Sequence, residues 1–389
     1  MVQVLTLMFV AGLAVLGVGA WLLHRRNALG WTPDYVRGRI RRKLPKQGLI
    51  DVMFCFVDHY EPRWRRADYE TEVKRVQRWV DEYPRLCQGH RDADGCAPKH
   101  GFFFPEEEYR PEHIEQLAKL CRDGYGEVEV HLHHDADTAE GLREKLRRFT
   151  HLLHAEHGVL PRHPDRDQIA WAFIHGNWAL DNARPDGRWC GVNDELRVLR
   201  EEGCYADFTL PSAPDPCQTR WVNRIYYAED DPNRPRSHER GVPVSVGGRP
   251  VGDLMIIQGP LGWDWQSRRA GVLPRLENAD IRRAQPPTPA RIDRWIRTAV
   301  GIEGRPDWVF VKIHTHGTQE GDMETLLGEP VAAMFRHLEE RYNDGRRYRL
   351  HYVTAREMYN IIKAGEAGLR DNPGLYRDWL IPRPPILAG

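Results

Sequence analysis

Short apolar runs alternate along this chain with stretches whose apolar positions recur every three or four residues, which predicts strands alternating with amphipathic helices. Residues 49–57 form an apolar run ending at Asp58, and Val73, Val76, Val80 and Tyr83 then share one face of a helix. Residues 102–104 give a second strand, and Pro111 opens a helix carrying Ile114, Leu117, Ala118 and Cys121. The run 128–132 predicts a strand, followed by a long helix marked by Leu142, Leu146, Phe149 and Leu153. Strands are predicted at 169–174 and 205–209, with helix around 196–199 between them. Residues 211–289, rich in proline, glycine and arginine, predict an irregular insertion with a single strand at 254–258. Alternation returns with a helix from Thr288-Pro289 through Ile292, Trp295, Ile296 and Ala299, a strand at 308–313, a helix at 325–342 and a strand at 348–353. Thr354-Ala355-Arg356-Glu357 is a capping box that opens the last helix. Such βα alternation predicts parallel strands joined by right-handed crossovers, as a barrel or an open sheet.

Four of the predicted strands end in residues able to bind metal or move protons: Asp58-His59-Tyr60-Glu61, His131-Leu132-His133-His134-Asp135, His175-Gly176-Asn177-Trp178 and His314-Thr315-His316. Alternate side chains of a strand share a face, so Val128, Val130 and Leu132 pack one way while His131 and His133 point together the other way. In a (β/α) barrel the C-terminal strand ends form one mouth, where these segments would converge. Imidazoles with a carboxylate and an open water position suit zinc first, although manganese, iron or cobalt accept the same donors. We therefore expect a metal-dependent hydrolase with Asp58, His131 and His133 as first-choice ligands and His134 and His59 as alternates. Glu61 is the expected base and His316 the expected acid, oriented by His314 or Asp322. His175, Asn177 and Trp178 are expected to shape the substrate site. Of the thirteen tryptophans, Trp263 and Trp265 in the insertion are the expected sugar-stacking pair.

These motifs resemble those of the polysaccharide deacetylases, carbohydrate esterases with a distorted (β/α) barrel. Phe56-Val57-Asp58-His59 stands where that family carries T-F-D-D, with His59 in place of the second aspartate. His131-Leu132-His133-His134-Asp135 is similar to a rearranged H-[ST]-x-x-H, and Ile313-His314-Thr315-His316 to the late L-x-H. The segments FVDHYEP, HLHHD and HGNW are similar to those of a branch associated with surface-polysaccharide biosynthesis. The resemblance covers roughly 50–364 and implies a barrel of about seven strands, a zinc-dependent deacetylation, and an acylated sugar of a polysaccharide or lipid-linked glycan as substrate, with polysaccharide-synthesis proteins as partners. Two other readings stay open. One is a glycosidase pairing Asp58 and Glu61 with Asp181 or Asp322. The other is an inactive barrel serving as a scaffold.

Charge changes the picture at the N-terminus. Residues 1–23 carry no charge and 4–23 are nearly all apolar, a length that spans a bilayer as a helix, and Arg25, Arg26, Arg37, Arg39, Arg41, Arg42, Lys43 and Lys46 follow. This predicts a single-pass inner-membrane anchor at 1–24, a basic juxtamembrane linker at 25–48 and a cytoplasmic body at 49–365, ending in a proline-containing surface tail at 366–389. Seven cysteines with no C-x-x-C pair suit reduced thiols. Lys+Arg and Asp+Glu balance at 56 each, so nothing advertises a nucleic-acid partner.

Overall fold

The expected basic linker is part of the folded body. In the structure, a computed structural model that describes residues 17, 19–21, 23–269 and 273–387, helix α1 (Thr32–Arg41) has Pro33 in its first turn. It is tied down by buried Asp34, which accepts from Arg224 and from the Val222 backbone N–H. Of the expected transmembrane anchor, residues 1–16, 18 and 22 lie outside the described set. Among the described residues no helix is long and apolar enough to cross a membrane, so that expectation is not met there.

Strand β1 (Ile50–His59) is buried along its whole length because it is apolar on both faces. Helix α2 (Tyr69–Leu86) follows, capped by the Asp68 carboxylate. The chain continues through β2 (His100–Pro105), α3 (Pro111–Arg122), β3 (Gly126–Leu132), α4 (Ala139–Ala155), β4 (Trp171–His175), α5 (Glu195–Glu201) and β5 (Cys204–Asp207). The segment expected to be an irregular insertion supplies β6 (Ile225–Ala228), β7 (Val242–Pro243), β8 (Leu254–Ile257) and a separate hairpin of β9 (Gly262–Arg269) and β10 (Leu273–Glu277). Helix α6 (Pro289–Thr298) and β11 (Trp308–Thr315) follow. The single helix expected at 325–342 is two, α7 (Glu320–Leu326) and α8 (Glu329–Tyr342), interrupted where Gly328 is extended and Pro330 starts the second. β12 (Tyr348–Val353) and α9 (Ala355–Glu366), with the expected Thr354/Glu357 capping box, complete the body.

The strands form one ten-stranded, mostly parallel sheet in the order β11-β1-β2-β3-β4-β5-β8-β6-β7, with β12 paired to β1. β2 takes the C-terminal half of one edge of β1, from Phe56, and β12 the N-terminal half, up to Cys55. The expected closed barrel is thus corrected to an open sheet. β8 does not pair with β11, whose free edge is met instead by Ala279 and Ile281 through backbone hydrogen bonds to His314. The sheet still curls. Lys312 on β11 donates to the Phe208 and Leu210 carbonyls beyond β5, bridging the gap from inside.

Curling gives every central strand two different buried faces. Val52, Phe54, Phe56, Val128, Val130, Leu132, Val309, Val311 and Ile313 pack outward among the helices. Met53, Cys55, Val57, Phe103, Ile174, Phe208 and Phe310 pack on the inner face. The tail is held to the body at three points: Tyr376 and Ile381 are buried, and Arg377 pairs with Asp92, Asp94 and Glu357.

The inner face also holds Glu129, which accepts from the Ala172 N–H and the Tyr205 hydroxyl. Burial pushes its pKa up to about 8 from 4.5. The folded state therefore retains a proton that the unfolded chain releases, and stability falls as pH rises from about 4.5 to about 8. Glu129→Gln, neutral throughout, is expected to flatten that fall and raise the melting temperature at pH near 8. A pH series of thermal melts on both proteins checks this.

Candidate metal centre at the strand ends

Strand parity brings the site together. His59 ends β1 on the inner face with Val57, His131 occupies the inner face of β3, and Glu61 returns to that side two residues beyond His59. One donor atom from each of His59, Glu61 and His131 lies within 4.8 Å of the others, and all three side chains are buried. The His131 Nδ1–H donates to the Ile174 carbonyl at 2.9 Å. That fixes the tautomer and leaves the Nε2 lone pair facing Glu61 Oε1 at 3.3 Å. His133 is set in the same manner: Glu107 holds its Nδ1, and Nε2 stands 3.5 Å from the same Glu61 oxygen. Nδ1 of His59 is buried without a hydrogen-bond partner, an arrangement that costs free energy unless something else receives it.

Burial, reinforced by the neighbouring imidazoles, holds His59 well below the usual histidine range and His131 at about 3. Both are therefore neutral, the form that ligates a metal. Burial raises the Glu61 pKa. It opposes charge on His133 too, but the Glu107 carboxylate outweighs it and holds that imidazole above its ordinary value. These residues fit a divalent metal ion: buried His59, Glu61 and His131 each bring one donor atom to the same place, and the His131 imidazole is oriented and neutral.

His316 stacks on His59 with ring centroids 4.6 Å apart, and Trp178 lies against His59 at 4.7 Å and His314 at 5.6 Å. Trp178 is carried there by a tight turn. A Cβ on Gly176 would lie 2.4 Å from the His133 ring, so only glycine lets this turn approach. The centre opens into a cleft of ≈ 510 Å³ lined by Glu61, Arg63, Arg65, Glu107, Glu108 and His133. Burial, with Glu61 and Glu107 nearby, pushes the Glu108 carboxyl up to about 7. A larger cavity, ≈ 670 Å³, lies against α1 and contains no histidine.

Several expected site residues lie elsewhere. Asp58 has the opposite parity to His59, so it faces outward, where its carboxylate accepts from the Gly317 N–H at 2.5 Å and pairs with His100 at 2.8 Å. It does not reach the metal group. Asp58→Asn is expected to leave metal content unchanged while lowering stability by about 1–3 kcal/mol through the lost charged hydrogen bonds. Metal analysis beside a denaturant titration checks both halves. His134 and His175 also face outward, where they pack against each other at 4.8 Å rather than joining the centre or shaping its mouth. Asn177 lies in the turn with its backbone N–H on His175. Asp322 accepts from the Arg283 N–H and does not orient His314 or His316. Trp263 stacks on Trp31 at 5.2 Å as a packing residue, and Trp265 is exposed on the separate hairpin, so neither stands at the centre.

Glu107 and Glu108 were not legible as site residues. Glu106-Glu107-Glu108 carries no histidine and belongs to none of the motifs at the strand ends. The signal was its position immediately after Pro105, where β2 ends at the same rim as β1 and β3. No protein-family model and no curated protein matches this sequence.

Proposed function

We propose that this protein is a metal-dependent carbohydrate deacetylase, with His59, Glu61 and His131 holding one divalent ion, zinc by the chemistry of the donors, and His133 adjoining it. The observation that carries this reading is the convergence of buried His59 and Glu61 with the tautomer-fixed imidazole of His131, one donor atom from each within 4.8 Å of the others. A metal bound there supplies a water of lowered pKa and polarises the acyl oxygen at neutral pH. The chain's residues do the rest. Glu108, with a pKa near neutrality, accepts the water's proton, and His316 donates one to the leaving amine or alkoxide. Trp178 forms an apolar wall over the imidazoles, and Arg63 and Arg65 line the approach for an extended polar substrate. The acyl-sugar class of substrate follows from the motif resemblance of the strand ends.

The glycosidase reading relies on Asp58 paired with Glu61, but these two carboxylates project from opposite faces of the sheet, and Asp58 is sealed by His100 and Gly317. The deciding experiment incubates metal-loaded protein with a panel of N-acetylated and O-acetylated aminosugar oligomers and measures acetate. Acetate release that stops on chelation and returns with zinc supports the proposal. Cleavage of glycosidic bonds without acetate would replace it.

A further inference from the structure

On the outer face of the sheet, apart from the centre just described, four buried side chains of metal-ligating type meet. His134 lies two residues past the end of β3, at the opposite parity to His131 and His133. His175 ends β4 on the side of Trp171 and Phe173, Glu195 opens α5, and Cys190 comes from the loop between them. All four are buried, and one donor atom from each lies within 4.8 Å of the rest. Glu195 sits in the middle: its Oε1 is 3.1 Å from His134 Nε2 and 3.8 Å from His175 Nε2, and its Oε2 is 3.5 Å from Cys190 Sγ.

Two details distinguish this cluster from a self-satisfied hydrogen-bond network. His175 is wholly buried, and its Nε2, aimed at the other three groups, has no hydrogen-bond partner. A buried ring nitrogen left so is costly, and a ligand in the pocket removes the cost. Second, Asp137 accepts from His134 Nδ1 at 3.1 Å and is itself held by Lys145 at 2.6 Å. This is the carboxylate–imidazole arrangement that presents Nε2 to a metal.

We propose that His134, His175, Cys190 and Glu195 form a second metal site, a closed zinc site of structural type. Two imidazoles, a thiolate and a carboxylate fill a tetrahedron with no position left for water, which is the mark of structural rather than catalytic zinc. Loading the site releases two protons to solvent: the Cys190 thiol proton as the Zn–S bond forms, and the proton on His134 Nε2, held against Glu195 in its absence, as the Zn–N bond forms. It also places the neutral His175 proton on Nδ1, so the long 3.3 Å contact from the Asn177 N–H opens. The ion has a position to hold. The loop from His175 to Cys190 carries Trp178, and pinning both ends against β3 and α5 keeps that ring on His59 and His314.

The test uses the full chain loaded with cobalt(II) in place of zinc. A sulfur-to-cobalt charge-transfer band in the near ultraviolet is expected in the wild type, because the strand-end centre contains no cysteine and only the second site produces the band. Cys190→Ser and His175→Gln should each abolish or strongly weaken that band and lose one metal equivalent, while His59→Ala/His131→Ala should keep it. Absence of the band in correctly folded wild type, or its persistence in Cys190→Ser, would overturn the proposal. Because the band belongs to one site alone, failure of the deacetylase reading leaves this result unaffected, and the converse holds.

Discussion

Replacing His59 and His131 together by alanine is expected to empty the strand-end centre and reduce deacylation by more than about 10³-fold, beyond the roughly 10–100-fold that losing an outer-shell partner of a metal costs. The fold should survive. Both imidazoles lie at the C-terminal rim, whereas stability comes from the apolar faces of β1, β3 and β11 packed among helices on one side and against the inner cluster on the other. Because the folded state keeps both rings neutral well below their ordinary value of 6.5, removing them also removes a cost to stability that the wild type bears as pH falls below about 6.5. Metal content by mass spectrometry, circular dichroism and acetate release on one preparation separate the possibilities. Unchanged metal content with lost activity would make these histidines substrate-positioning groups.

The second large effect is expected at His316. Its ring is half-buried, stacks on His59 and has Trp178 nearby at 6.0 Å, so it borders the reacting position while lying outside the donor group. His316→Ala should lower turnover by roughly 10²–10⁴-fold, the range for a lost general acid, with metal content unchanged and KM little altered. Substrates with a better leaving group should be less affected, because they need less protonation. A loss of metal in this variant would make His316 a ligand, and wild-type turnover would remove it from the mechanism.

Most of the parallel strands were legible because each carries an apolar run bounded by a polar end, and the pairing of His131 with His133 followed directly from the two-residue period. The same period contained further information. Asp58 and His59 are neighbours, so only one can face inward, and the inner residues Met53, Cys55 and Val57 assign His59 to that face. The expectation of Asp58 as ligand ran against the parity of the strand. His134 and His175 obey the same rule on the outer side. Closure of the sheet was not legible, since it depends on whether β8 meets β11, and the answer lies in Ala279–Ile281 occupying that edge. The insertion hid β6, β7, β9 and β10 because its strands are short or rich in arginine, glycine and proline, so hydrogen bonding to neighbours rather than apolar periodicity defines them. Cys190 and Glu195 were invisible as donors because their partners come from two other strand ends, at a sequence separation no local motif spans.

Metal-dependent acetate release tests the central claim most directly. Wild-type protein stripped by chelation is expected to be inactive on acetylated aminosugar oligomers, to regain activity with one equivalent of zinc at the strand-end centre, and to show no such recovery once His59 and His131 are alanine. Equal activity before and after stripping, or recovery by zinc in the double variant, would contradict it.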